Sequence, residues 1–237
     1  MNSESLALFG PAHLSVFLTM GLCLGILLAL LRVRPELDRS FSWALALVLV
    51  GSKLAALWIA FHGNTLTWQN GLPMHLCDWA TGAVVFALLF RRPWIYEAAY
   101  FWGLAGTTQA LLTPDLNFTF PDPRYFTFFI SHGGIVVGVL YLTWGAGFRP
   151  RPGSVWRVFG LTQIYLAATL VVNLCIGANY GYLLAKPSNP SLLDHLGPWP
   201  WYIVSMEVAA LVFFWLVYLP FRNKAADVKD GPERAEP

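Results

Sequence analysis

The chain has 237 residues, of which 57% are hydrophobic and 12% charged, with a formal net charge of +2. Soluble domains carry about 25% charged residues, and few soluble folds can hide this much apolar surface, whereas a bilayer accepts it. The near-neutral balance offers no basic surface for nucleic acid. Three cysteines, all inside apolar stretches, form neither a secreted disulfide framework nor a zinc ligand set, and no metal or cofactor is implied.

Residues 1–9 contain no Lys or Arg, unlike the n-region of a signal peptide, so the first apolar segment reads as retained. Seven apolar runs then follow, over 12–31, 41–61, 74–90, 94–113, 125–146, 155–176 and 200–220. About 20 residues are needed to cross a bilayer as a helix. A lipid-exposed segment must satisfy its own backbone, and period-two alternation is absent, so the expected class is all-α: a polytopic seven-helix transmembrane bundle over 1–221. The third run is the shortest and begins after Pro73, a residue tolerated in a first helical turn. The polar segment 222–237 reads as a disordered cytoplasmic tail.

The connections alternate in charge. Arg32, Arg34 and Arg39, then Arg91 and Arg92, then Arg149, Arg151 and Arg157 occupy the odd loops, against only Arg124 and Lys186 in the even ones. By the positive-inside rule the odd loops and the tail are cytoplasmic, the N-terminus is outside, and the location is the cell membrane. Trp199, Trp201 and Tyr202 then fall where an outer aromatic belt belongs.

Polar residues inside membrane helices are costly and mark function by default. At about 1.5 Å rise per residue, Cys77 stands roughly 21 Å above the inner arginines, as does Lys53. Glu207, Asn173, His132 and Gln109 stand roughly 22–26 Å above them. Six helices therefore contribute a polar group to one slab in the outer half of the membrane, and no comparable set is evident in the inner half. The slab predicts a pocket open toward the outer face or outer leaflet, and membrane lipids are the expected partners. Oligomeric state is not encoded in any motif.

The sharpest cluster is His75-Leu76-Cys77-Asp78-Trp79. It places Cys77 near a helix N-terminus, where the dipole favours a thiolate. His75 and Cys77 lie about 200° apart around a helix and do not face each other. The base for Cys77 is therefore sought at His132, at similar depth, between Ser131 and the small residues Gly133 and Gly134. His75 and Asp78, three apart, are placed to share a hydrogen bond. The plainer readings are a core role for Cys77, a carbonyl-bound His132, and a structural ion pair between Lys53 and Glu207. Asn173 and Gln109 become helix-bridging amides, His13 and His195 loop or interface residues. A Cys77–Cys175 disulfide would abolish the nucleophile.

The blocks Leu72-Pro73-Met74-His75-Leu76-Cys77, Ser131-His132-Gly133, Asn179-Tyr180-Gly181-Tyr182-Leu183 and Gly197-Pro198-Trp199-Pro200-Trp201-Tyr202 resemble the YwaF-like integral membrane proteins. That family is similar to a eukaryotic transmembrane acyltransferase of ether phospholipids. The resemblance implies Cys77 as nucleophile and His132 as its base. The expected activity is lipid acyl transfer or acyl-ester hydrolysis, with the amides of Asn173, Gln109 and Asn179 donating to an oxyanion and Tyr180 lining the site. The competing expectation is a non-catalytic lipid or small-molecule receptor or transporter using the same pocket. A retinal protein is disfavoured, because the run 200–220 holds no Lys for a Schiff base.

Overall fold

A computed structural model describes residues 6–222. The expected tail over 222–237 lies outside the described residues except for Arg222. Every regular element among the described residues is helical, with no strand. Five helices are long and apolar enough to cross a membrane, so this is a multi-pass membrane protein. They are α1 (Pro11–Val33), α2 (Asp38–His62), α6 (Pro123–Leu140, continued as a π-helix to Gly145), α7 (Ser154–Ile176) and α8 (Trp201–Arg222).

The remaining two apolar runs form differently from their sequence reading. α3 (Leu76–Phe90) has 15 residues and starts beyond Pro73 rather than at it. The physical cause is His75, whose extended backbone ends the preceding loop and whose N–H donates to Asp78 Oδ2 at 3.1 Å, capping the first turn. The run read as one span over 94–113 is α4 (Pro93–Phe101), a π-helix (Trp102–Thr107) and α5 (Thr108–Leu112) in succession.

α6 is the axis of the bundle. Of its apolar window 61% is buried, against 0% for α1, which lies at the periphery. α2 packs on α6 over the widest contact, and α3 and α1 also lie against it. Small residues make this possible. A Cβ on Gly134 would meet Leu49 Cδ2 at 2.9 Å, and one on Gly138 would meet Val84 Cγ1 at 2.7 Å. The small residues beside His132 thus admit neighbouring helices, Met20 of α1 and Leu49 of α2, rather than a ligand.

Polar contacts gather at both ends of the bundle. At one end, Arg91 Nη2 donates to Asp38 Oδ2 at 3.0 Å and Tyr141 Oη to Asp38 Oδ1 at 2.6 Å. Beside them Glu97, its side chain only 2% exposed, accepts from Arg151 Nε at 2.7 Å and Arg157 Nη2 at 2.9 Å. This corrects the reading of that half as lacking a polar set: a buried carboxylate is held between two arginines, as an interior charge must be. Arg151 is raised above its ordinary pKa by that carboxylate.

At the other end the segment 177–200 folds back over the helix termini. Asn173 Oδ1 accepts the Tyr180 N–H at 2.8 Å while its Nδ2 donates to Tyr180 O at 2.9 Å. Tyr180 Oη donates to Trp68 O and accepts the Leu72 N–H. Tyr182 Oη donates to Asp115 Oδ2 at 3.0 Å; burial first, and then that carboxylate, raise its pKa, so the phenol stays a donor. His13, read as a loop or interface residue, is instead buried in the first turn of α1 with Nε2 on Leu111 O at 2.7 Å.

Candidate functional site

Three helices bring the central polar groups together. Lys53 of α2 donates to Asp78 Oδ1 of α3 at 2.5 Å, with side chains 30% and 17% exposed. Asp78 therefore works twice, as counter-ion to Lys53 and as cap of its own helix through Oδ2. The pairing expected between Lys53 and Glu207 does not form. α2 packs against α3 and α6, whereas Glu207 of α8 accepts a hydrogen bond from Gln163 of α7. A similar distance along the helix from the arginines of the loops does not decide which neighbours a side chain faces.

Cys77 sits in the first turn of α3, partly buried, with Lys53, Asp78 and the Thr107 side chain as polar neighbours. The rings of Tyr165 and Tyr182 stand near it. All three cysteines are free and Cys175 is exposed on α7, so the Cys77–Cys175 disulfide is not made. His75 meets the Tyr180 ring edge-on at 5.1 Å, and its Nδ1 accepts the Gly181 N–H at 3.4 Å. The hydrogen bond expected between His75 and Asp78 runs through the His75 backbone N–H.

His132 lies in α6, 9% exposed, stacked on Phe128 with centroids 4.0 Å apart. Its Nδ1 is 2.8 Å from Phe128 O. A carbonyl oxygen only accepts, so Nδ1 carries the proton and Nε2 presents a lone pair. Nε2 has no hydrogen-bond partner among the described residues. The ring is thus held in the tautomer that a general base requires.

His132 lines a cavity of about 270 Å³ between α2 and α6. Lys53, Ser52 and Ser131 join it at the base, with Thr65, Arg124, Phe118 and Phe128 around the rest. Cys77 is not among the lining residues, and Cys77 and His132 share no hydrogen bond among the described residues. Both lie within electrostatic reach of the Lys53–Asp78 pair.

The amides have other employment. Both ends of Asn173 are used on Tyr180, and Asn179 donates to Ala185 O while accepting from the Leu184 and Ala185 N–H groups. They shape the 177–200 segment, and neither makes a hydrogen bond to Cys77 among the described residues. Gln109 on α5 is partly buried, and its side chain makes no hydrogen bond among the described residues. Sequence reasoning passed over Thr107, Tyr165 and Arg124. The first two are uncharged side chains inside apolar runs, and Arg124 counted only as a loop cation. No group of three or more His, Cys, Asp or Glu side chains among the described residues is placed to hold a metal ion.

No solved structure matches this chain. An uncharacterised protein of Treponema pallidum (strain Nichols) is 29% identical over 160 residues, covering 66% of this chain. The chain spans 64% of the length of that relative. The sequence profile of the TMEM164 family matches residues 8–218, nearly the whole described region, and the chain belongs to the TMEM164 family.

Proposed function

We propose that this protein is an integral membrane enzyme of lipid acyl transfer or acyl-ester hydrolysis, with Cys77 as nucleophile and His132 as the proton-transfer group. The observation that carries the reading is the Lys53–Asp78 pair, which ties α2 to the first turn of α3 next to Cys77 and, through Lys53, lines the cavity that His132 of α6 faces. Lys53 lines the cavity that His132 faces, Asp78 follows Cys77 in the first turn of α3, and the free Nε2 of His132 is the complementary base for the thiol. Cys77 Sγ attacks the ester carbonyl and the alkoxide leaves with the thiol proton, passed through His132. A lipid hydroxyl or water then gives its proton to His132 and takes the acyl group, returning the thiol.

The same reading includes seven crossing segments with the N-terminus outside and the C-terminus in the cytoplasm. Supporting it, the loops rich in arginine lie at the Glu97 end of the bundle, the end that the positive-inside rule assigns to the cytoplasm. The polar focus then lies in the outer half.

The test is covalent capture. Purified protein incubated with an acyl-labelled phospholipid is expected to carry a hydroxylamine-sensitive thioester at Cys77. Cys77→Ala is expected to carry none while keeping the elution profile of the parent. Turnover by Cys77→Ala at the parent rate overturns the reading. A second reading, a non-catalytic lipid binder, is favoured by the separation of Cys77 from the cavity that His132 lines. It predicts that Cys77→Ser binds and functions as the parent does.

A further inference from the structure

Two polar side chains lie where a membrane helix rarely carries them. Gln163 of α7 is exposed, Glu207 of α8 is half-buried, and Gln163 Nε2 donates to Glu207 Oε2. Each stands at least about 9 Å from either end of its helix, well inside an apolar span. A carboxyl group within a span almost always faces the bundle interior or a water-filled cavity. This one is joined to an outward-facing amide, and neither residue lines the α2–α6 cavity.

The hydrogen-bonding capacity of the pair is only partly used. The second amide N–H and the carbonyl of Gln163, and Oε1 of Glu207, have no partner among the described residues. Hydroxyls on the outward face of α1 are self-sufficient by contrast. There Ser15 Oγ donates to Ala12 O and Thr19 Oγ1 to Ser15 O, both at 2.8 Å.

The surroundings of the pair decide what completes it. On α7, Trp156, Gly160, Gln163, Ala167, Leu170 and Leu174 are all exposed and fall within about 80° of arc. Small residues stand on either side of Gln163 in this stripe, and a Cβ on Gly160 would have nothing within 4 Å. Another helix can therefore approach closely enough for the amide to reach it. That helix must offer an acceptor for an N–H and a donor for a carboxyl oxygen at one depth. A second copy, turned about a two-fold axis along the membrane normal, offers both. Residues in contact share a depth, and a two-fold interface sets one surface against itself. Lipid tails offer neither group.

We infer that two copies of this chain associate through α7 and α8, each Gln163 donating its second N–H to Oε1 of Glu207 of the partner subunit. Symmetry makes these two bonds together or not at all. The inference is independent of the proposed acyl chemistry.

The experiment counts protomers of the full chain by single-molecule photobleaching in phosphatidylcholine bilayers over a range of protein-to-lipid ratios. The parent is expected to bleach in two steps at the higher ratios. Gln163→Leu removes both symmetric bonds and should weaken association about five- to tenfold. Gly160→Leu adds bulk where the protomer has open space. It should weaken association at least as much while the unfolding midpoint of the monomer in detergent stays near that of the parent. Glu207→Gln keeps an acceptor and should associate better than Glu207→Leu. Oxidative cross-linking reads the contact itself. With Cys23, Cys77 and Cys175 changed to Ala, Ala167→Cys should give a disulfide-linked dimer, and Leu18→Cys on the outward face of α1 should not. A parent that is monomeric at every ratio overturns the inference. Association unchanged in both Gln163→Leu and Gly160→Leu, or cross-linking at Leu18→Cys but not at Ala167→Cys, also overturns it. So does a monomer that retains phosphatidylethanolamine in native mass spectra and loses it in Glu207→Leu, which would make a lipid amine the partner of the pair.

Discussion

Lys53 is the residue on which the candidate site turns, because its ammonium pairs with Asp78 of α3 and lines the cavity that His132 of α6 faces. Breaking a well-buried ion pair costs about 3–5 kcal/mol, mostly from the charge left behind. This pair is partly exposed, so Lys53→Met should destabilise by less, about 1–3 kcal/mol, through the unneutralised Asp78. Lys53→Met combined with Asp78→Asn removes both charges and should recover most of that loss. The thioester should not return with the stability, since the ammonium that lines the His132 cavity is gone. Thermal unfolding in detergent and acyl capture on the three variants separate the two effects. Recovery of both together would mean that Lys53 serves the fold alone.

The residues differed in how legible they were. Cys77, His75 and Asp78 stand together in the sequence, and the capping relation between His75 and Asp78 follows from their spacing. The partner of Lys53 did not follow, because depth along a helix is one coordinate and the direction a side chain faces is another. The tautomer of His132 depends on a carbonyl one turn back in its own helix, which spacing allows but does not determine. Arg124 was visible only as a charge; its brace on Asp122 and its seat on Phe118 need the loop conformation.

At the scale of elements, α6 owes its central place to small residues on the faces toward α2 and α3. Gly138→Val would drive a β-branched side chain into Val84, whose Cγ1 is already 2.7 Å from where a Cβ would stand. Overpacking of this kind costs about 1–3 kcal/mol, and the thermal unfolding midpoint in detergent should fall accordingly. Gly160 of α7 is the contrast, with nothing within 4 Å of its Cβ position, and Gly160→Ala should be neutral or mildly stabilising. Equal losses at both positions would show that packing around α6 is not the cause. The seven apolar runs foreshadowed the helices because hydropathy and length are local properties. They could not foreshadow the π-helices at Trp102–Thr107 and Tyr141–Gly145, where an added residue per turn is dictated by what the helix packs on. Nor could they show that the segment 177–200 closes over the α3 terminus, since that depends on contacts such as Tyr180 with Trp68 and Leu72.

At the scale of the whole molecule, the two ends are chemically unlike. One is braced by arginine–carboxylate contacts around Asp38 and Glu97, the other by tyrosine and amide hydrogen bonds to the backbone. Glu97 escaped notice in the sequence because it lies one turn beyond Arg92, within the charged floor from which depth was counted. Its burial strengthens the orientation argument, since it commits Arg151 and Arg157 to one face of the bundle. Orientation decides which leaflet the cavity lined by His132 and Arg124 faces, so it is the property most worth measuring. In a background with Cys23, Cys77 and Cys175 changed to Ala, Thr67→Cys and Arg149→Cys place single thiols on exposed residues of opposite loops. A membrane-impermeant maleimide applied to intact cells is expected to label Thr67→Cys and to reach Arg149→Cys only after permeabilisation. The opposite result inverts the bundle and moves the cavity to the cytoplasmic leaflet. Labelling of both thiols from outside requires an even number of crossings between residues 67 and 149, which is incompatible with α3, the α4–α5 run and α6 each spanning the membrane.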